Sequence, residues 1–189
     1  MSRIRIISED QATGSLAKLY ASIAGSRGGV ANVLKLHSLL PQTMADHFRL
    51  YKTLMFGLSK ETGIARKNLE MVAVVVSVTN QCDYCVVHHS EPLKRLLKDE
   101  TLVMALGQTD WSYLEQHLEP RWLLVLNFAQ LLTRSPVEIS DHHIESLGEF
   151  FSDEQILHLV LVVNYFNFVN RNVMALGINL EHDFQKTTR

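Results

Sequence analysis

The chain is 189 residues long, 47% apolar and 20% charged, with a formal net charge of −2 and a pI near 6.5. That length and balance suit one globular domain, 1–189, and exclude a disordered chain, while the weak charge offers no footprint for nucleic acid or an anionic membrane. The opening MSRIRIISED lacks the apolar stretch of a secretory signal, and runs such as MVAVVVSV and ILHLVLVV fall well short of the ~20 residues that span a bilayer, so a cytoplasmic protein with no nucleic-acid or membrane partner is expected.

Leu16, Leu19, Tyr20 and Ile23 repeat at helical spacing and predict a first helix over 14–23. SRGGV breaks it, and a short apolar segment, 31–40, follows. Pro41 suits the first turn of a helix to about Phe56, on which Met44, Phe48, Tyr51 and Met55 share a face, with Gly57 as its stop. Residues 65–79 are valine-rich, which favours a strand, but length favours a helix, with Leu69, Val72, Val76 and Thr79 on one face. Asn80 then caps a new helix from Gln81, which Pro92 should kink or end early. Pro120 opens a helix to about Arg134, and Ser140 caps a short one to Phe150. Ser152 and Gln155 form a capping-box pattern ahead of the longest apolar helix, 153–176, closed by Gly177. That helix is apolar nearly all round and belongs at the centre of a bundle or in a subunit interface. The fold class is all-α.

The stretch NQCDYCVVHHS, 80–90, holds both cysteines of the chain. In a reducing compartment a Cys-x-x-Cys points to metal or redox chemistry rather than a structural disulfide. On a helix advancing about 100° per residue, Cys82, Cys85 and His89 occupy one stripe and His88 points well away, so spacing selects His89 as the imidazole that reaches a sulfur. Glu70 is the candidate acid. On a continuous helix it would stand roughly 18 Å from Cys82; if the chain reverses near Asn80, Glu70 and His89 arrive at matching heights. Glu70 can then orient His89, and His89 can take the proton of Cys85. Position alone favours Cys82 as the more acidic thiol, because it lies nearer the helix N-terminus; the imidazole favours Cys85. A thiolate attacking a hydroperoxide becomes a sulfenic acid, which the neighbouring cysteine condenses to a disulfide.

Glu70, Cys82, Cys85 and His89 at these spacings resemble the signature of the AhpD-like branch of the carboxymuconolactone decarboxylase superfamily. VANVLKLHSLLPQTMADHFRLYKTLM and YFNFVNRNVMALGINLE extend the likeness, over nearly the whole chain, to the peroxidase-related proteins of that branch. The resemblance implies an AhpD-like helical bundle, a homo-oligomer, and thiol-dependent reduction of hydroperoxides restored by an external lipoyl- or thioredoxin-like dithiol, with no cofactor or metal. It further implies Cys85 as the attacking thiolate, Cys82 as its resolving partner, and Glu70 with His89 as a proton relay. The best-known members carry a histidine immediately before the second cysteine; here that residue is Tyr84, which can donate a hydrogen bond.

Plainer readings stand beside these. The cysteines can be inert core thiols, or join His89 and Glu70 as a zinc clip, and Glu70 can be a solvated acid beside Arg66 and Lys67. His88 reads as a surface or packing residue. Asn164, Tyr165, Asn167, Asn170 and Arg171 put polar groups on a buried-looking helix, where they line a substrate pocket or meet a second subunit. Tyr84, Asn167 and Arg171 are taken as substrate-binding candidates. Beyond a peroxidase, the dithiol fits a general thiol–disulfide oxidoreductase or a redox-sensing helical oligomer. A thioredoxin fold is disfavoured, because helical patterns follow the motif where alternating strands are required.

Overall fold

The computed structural model describes residues 2–25 and 29–181, with no strand among them. The α-helices are α1 (Gly14–Ala24), α2 (Asn32–Lys35), α3 (Pro41–Lys52), α4 (Leu58–Thr62), α5 (Arg66–Thr79), α6 (Asp83–Leu97), α7 (Glu100–Gln108), α8 (Trp111–His117), α9 (Pro120–Arg134), α10 (Asp141–Gly148) and α11 (Asp153–Leu176). The centre is α5, whose residues 68–77 are all buried. It packs against α6, α9 and α11. Valine is a poor intrinsic helix former, but burial on every side outweighs a few tenths of a kcal/mol per residue. A smaller cluster of Leu16, Tyr20, Ile23, Val30, Leu34 and Met44 joins α1, α2 and α3.

Several boundaries differ from the expected ones. Gly57 does not end α3. It has helical φ, and the chain passes through a π-helical turn, Thr53–Gly57, into α4, which stops at Gly63 with φ 74°. Helix ends favour a left-handed residue, and Gly63 is the glycine that adopts it. The wide turn leaves the Leu54 carbonyl to buried His158, whose Nε2 lies 2.7 Å away. Asn80 closes α5 rather than opening the next helix, and α6 begins at Asp83 with Cys82 as N-cap. Pro92 does not end α6, which runs on to Leu97, with Pro92 and Leu93 buried. Helices α7 and α8, for which the apolar pattern had no reading, start at Asp99 and Asp110, whose carboxylates accept the backbone N–H of Leu102 and Tyr113.

The capping box of α11 forms as expected between Ser152 and Gln155. By length and mean hydropathy, 1.2, α11 alone among the described helices could cross a membrane, yet half of that stretch is buried in the bundle. Its apolar character is what a central helix needs. Its polar residues Asn167 and Asn170 face the end of α5: Asn80 Nδ2 donates to Asn167 Oδ1 (2.9 Å) and Asn170 Oδ1 (3.0 Å). Asn170 Nδ2 lies 3.3 Å from the Ser77 hydroxyl, and Asn167 also donates to Thr133.

This lock yields a stability prediction. Asn80→Ala leaves the buried Asn170 oxygen without its donor and should cost about 1–3 kcal/mol. Urea unfolding would measure it; an unchanged midpoint would show that the turn holds without the amide.

Candidate active site

The reversal after α5 is a Schellman turn. The Cys82 N–H bonds to the Ser77 carbonyl and the Gln81 N–H to the Val78 carbonyl, both at 2.9 Å, with Gln81 left-handed at φ 59°. Glycine usually fills that place, and a side chain there costs roughly 1–2 kcal/mol. The turn delivers both cysteines at the start of α6 and folds α6 back along α5.

Glu70 and His89 therefore meet. His89 Nδ1 lies 2.8 Å from Glu70 Oε2, and Glu70 is wholly buried. A lone carboxylate there would be costly. Arg66, one turn earlier on α5, supplies the compensating charge: its Nη2 is 3.0 Å and its Nε 3.1 Å from Glu70 Oε1. Arg66 also sits over the Phe56 ring, 4.5 Å from its centroid. The edge of Phe166 meets the His89 ring at 4.5 Å. With both Glu70 oxygens engaged this way, the zinc reading loses its fourth ligand, and among the described residues no three His, Cys, Asp or Glu side chains are grouped to hold a metal.

The two sulfurs are reduced and 2.9 Å apart, and both cysteines are buried at 1–2% exposure. Beside them lies a cavity of about 100 Å³, walled by Arg66, His88, His89, His47, Tyr51 and Tyr165 among others. Neither cysteine lines it. The charge of Cys85 is felt at the hydroxyl of Tyr165, which does line it.

Of the other sequence candidates, Tyr84 lies outside this cavity lining. Its hydroxyl donates to Glu181 Oε1 at 2.8 Å, and its ring stacks on His88 at 4.3 Å. Asn167 and Arg171 also lie outside it, bonded to each other in the lock at the Asn80 end of α11. They meet partners within the chain, which their spacing on α11 does not reveal. His88 does point away from the cysteine stripe, but it is no surface residue: it is buried, lines the cavity, and lies 2.8 Å from Glu181 Oε2. In the sequence Arg66 reads only as a neighbour of a solvated Glu70, and His47 carries no assignment. The i, i+4 spacing of Arg66 and Glu70 was the available signal; His47 and Tyr165 lie too far apart in sequence to carry one.

Residues 45–111 match the carboxymuconolactone decarboxylase family. A peroxidase-related protein from Silicibacter sp. TM1040, itself uncharacterized, is 28% identical, with 100% of this chain and 96% of that one covered at a TM-score of 0.84. A second uncharacterized peroxidase-related protein, from Ralstonia eutropha JMP134 and named as an alkylhydroperoxidase AhpD core, is 24% identical, with 100% and 96% covered at 0.82. The chain is thus similar to the AhpD-like, peroxidase-related proteins of the carboxymuconolactone decarboxylase superfamily, with the family match itself confined to residues 45–111. The uncharacterized protein YdfG of Bacillus subtilis (strain 168) is 25% identical over 120 residues, 63% of this chain and 80% of its own. The debrominase Bmp8, solved with 2,3,4-tribromopyrrole, shares the fold at 18% identity, with 99% of this chain and 97% of that one covered and a TM-score of 0.73.

In this AhpD-like site the electrostatics separate the two thiols. A hydrogen bond from the Cys85 thiol lowers the pKa of Cys82 against the cost of burial, and the backbone N–H of Cys85 adds to it at the start of α6. Cys85 is pushed up by that same shared proton, then by burial and by the charge on Cys82, with a hydrogen bond to Asn170 opposing. The hydrogen bond between the sulfurs leaves the shared proton on Cys85 when one thiol ionises, so the lower of the two is Cys82, the cysteine nearer the helix N-terminus. Glu181 belongs to a second carboxylate–histidine pair. Burial would raise it, but hydrogen bonds from His88 and the Asn32 N–H prevail and bring it to about 2.

A titration checks the shared proton. Ultraviolet thiolate absorbance of the parent should appear below the ordinary thiol range, about 8.5. Cys85→Ala should move the midpoint upward, because the donor that stabilises the Cys82 charge is gone. An unmoved midpoint would rule out proton sharing.

Proposed function

We propose that this protein is a thiol peroxidase that reduces hydrogen peroxide or small organic hydroperoxides through a Cys82/Cys85 dithiol–disulfide cycle. The observation that carries the reading is buried Glu70 bonded at 2.8 Å to His89, which walls a small cavity one helical turn after two reduced sulfurs in contact. A proton shift along the 2.9 Å sulfur contact turns the Cys82 thiolate into a thiol and exposes Cys85 as thiolate. Cys85 is favoured as the attacking atom because it stands one helical turn before His89 and its charge reaches Tyr165, both of which wall the cavity. Cys82 then resolves the sulfenic acid. Glu70 orients His89 and favours positive charge on its ring as the cavity polarises. An external dithiol restores the pair. Sulfurs this deeply buried suit a slender lipoyl-like arm better than the face of a whole thioredoxin-like protein, which is also why general disulfide exchange with proteins is the weaker reading. A reducing compartment such as the cytoplasm fits the cycle.

A homo-oligomer is part of the proposal. On α11, Leu157, Leu161, Phe168 and Met174 are 41–59% exposed and, with Asn164 and Arg171, recur at three- or four-residue steps along one stripe. Such spacing suits helix-on-helix packing with a second copy. Light scattering should find a multiple of the 21.5 kDa chain mass, and Leu161→Glu with Phe168→Glu should reduce it. A monomeric parent removes this part.

For the chemistry, one equivalent of peroxide should give one Cys82–Cys85 disulfide, read by mass spectrometry. Cys85→Ser should abolish turnover, and Cys82→Ser should accumulate a sulfenic acid that dimedone traps on Cys85. Sulfenic acid on Cys82 in the Cys85 variant, with turnover retained, would reverse the roles. Glu70→Gln should slow oxidation about 10–100-fold, as loss of an orienting carboxylate does elsewhere. If the double-serine variant consumes peroxide like the parent, the peroxidase reading falls.

A further inference from the structure

The peroxidase reading leaves one proton without a source, and this inference rests on that reading. On that reading the reacting dithiol is one thiol and one thiolate, and carries a single proton. When the Cys85 sulfur attacks the terminal oxygen of R–O–O–H, an S–O bond forms and the O–O bond breaks, its electron pair leaving on RO⁻. The Cys82 thiol then attacks the sulfenic sulfur: S–S forms, S–O breaks, and the hydroxyl leaves as water with the Cys82 proton. Sulfur is oxidised and peroxide oxygen reduced, but RO⁻ still needs a proton from outside the pair. Both Glu70 oxygens are already engaged, one by Arg66 and the other by His89, so the carboxylate has no free oxygen to carry that proton.

A separate chain of polar groups ends at the same cavity. Tyr165 is buried and lines it, with its hydroxyl 2.8 Å from His47 Nε2. His47 Nδ1 is 3.1 Å from His37 Nε2, and His37 Nδ1 is 2.9 Å from the Thr43 hydroxyl. His47 is buried, His37 half-buried and Thr43 exposed, so the row runs from the cavity to the surface. Burial lowers both imidazoles, and the charge of His37 lowers His47 further, to about 4. Burial first, then the charge on Tyr51 and on Cys85, hold the Tyr165 hydroxyl protonated. Every member is therefore neutral, and each neutral ring must donate from one nitrogen and accept at the other.

That requirement leaves two arrangements. The Thr43 hydroxyl has one proton and two acceptors, the Leu40 carbonyl at 2.8 Å and His37 Nδ1. With its proton on Leu40, His37 donates to Thr43, His47 to His37, and Tyr165 to His47. With its proton on His37, every bond in the row reverses, and the Tyr165 proton is free for a ligand in the cavity. The same distances serve both.

We propose that Tyr165 donates the proton that the departing oxygen takes, and that His47 and His37 recharge it from solvent at the Thr43 end. RO⁻ leaves as ROH, Tyr165 recovers a proton from His47 Nε2, and His37 passes on its replacement. One solvent proton enters per peroxide reduced. It leaves again when the external dithiol restores the thiol–thiolate pair. Tyr165 is the donor to substrate; His47 and His37 are relay residues that act through it.

Leaving-group dependence tests this. Stopped-flow oxidation of the reduced protein is followed with tert-butyl hydroperoxide, whose alkoxide needs a proton, and with peracetic acid, whose acetate does not. Tyr165→Phe should slow the alkyl hydroperoxide about 100-fold, and leave the peracid rate unchanged. His47→Gln should show the same selective loss, and carries the test should Tyr165→Phe fail to fold. Equal losses with both oxidants, or no loss with either, would overturn the relay while the peroxidase reading stands. A parent that reacts with neither oxidant ends both.

Discussion

Where α5 ends, the Cys82 amide reaches back to the Ser77 carbonyl, Gln81 takes a left-handed conformation, and Asn80 bridges to two asparagines of α11. This reversal within a few residues brings Glu70 and His89, nineteen positions apart in sequence, to 2.8 Å. It also places Cys82 at the N-cap of α6, where the helix dipole favours a thiolate. A straight continuation would have left acid and sulfur roughly 18 Å apart. Both the Glu70–His89 contact and the place of the cysteines at a helix N-terminus follow from the turn.

The second constraint is the burial of charge. Glu70 lies among the valines of α5, where an uncompensated carboxylate would cost several kcal/mol. Arg66 and His89 each engage one of its oxygens, so the site is satisfied before any substrate enters. In so apolar a setting such bonds are stronger than in water, which gives the pair a fixed geometry. The Tyr84–Glu181–His88 group does the same on the other side of the cavity, tying residue 181 to α6. The contact of Tyr84 with Glu181 makes it a brace for His88 rather than a wall of the cavity.

Helix α11 serves three environments at once. Its buried apolar residues complete the core against α5 and α9, Asn167 and Asn170 hold the α5 end, and Tyr165 with Phe166 reaches the cavity and the His89 ring. The polar residues that interrupt its apolar run are the ones that hold the site. Mean hydropathy alone therefore says little about where such a helix lies.

Local chemistry made much of this legible. Capping signals at Ser152 and Gln155, the 3.6-residue periodicity of α3 and α11, and the stripe of Cys82, Cys85 and His89 act between near neighbours, so the sequence carries them directly. A turn near Asn80 could be posed as a requirement, but its form could not be read, because Gln81 holds a left-handed conformation that the surrounding packing imposes. The lowering of the Cys82 thiol comes first from a hydrogen bond with Cys85 that prevails over burial, a balance that spacing does not express. The partners of Asn167 and Arg171, the cavity beside His89, and the row from Tyr165 to His37 join residues up to 118 positions apart. By itself the sequence determined an all-helical chain with a redox-capable motif, because helix periodicity and capping are local. Only the tertiary structure decided which polar groups meet, because long-range hydrogen bonds form where packing brings distant segments together.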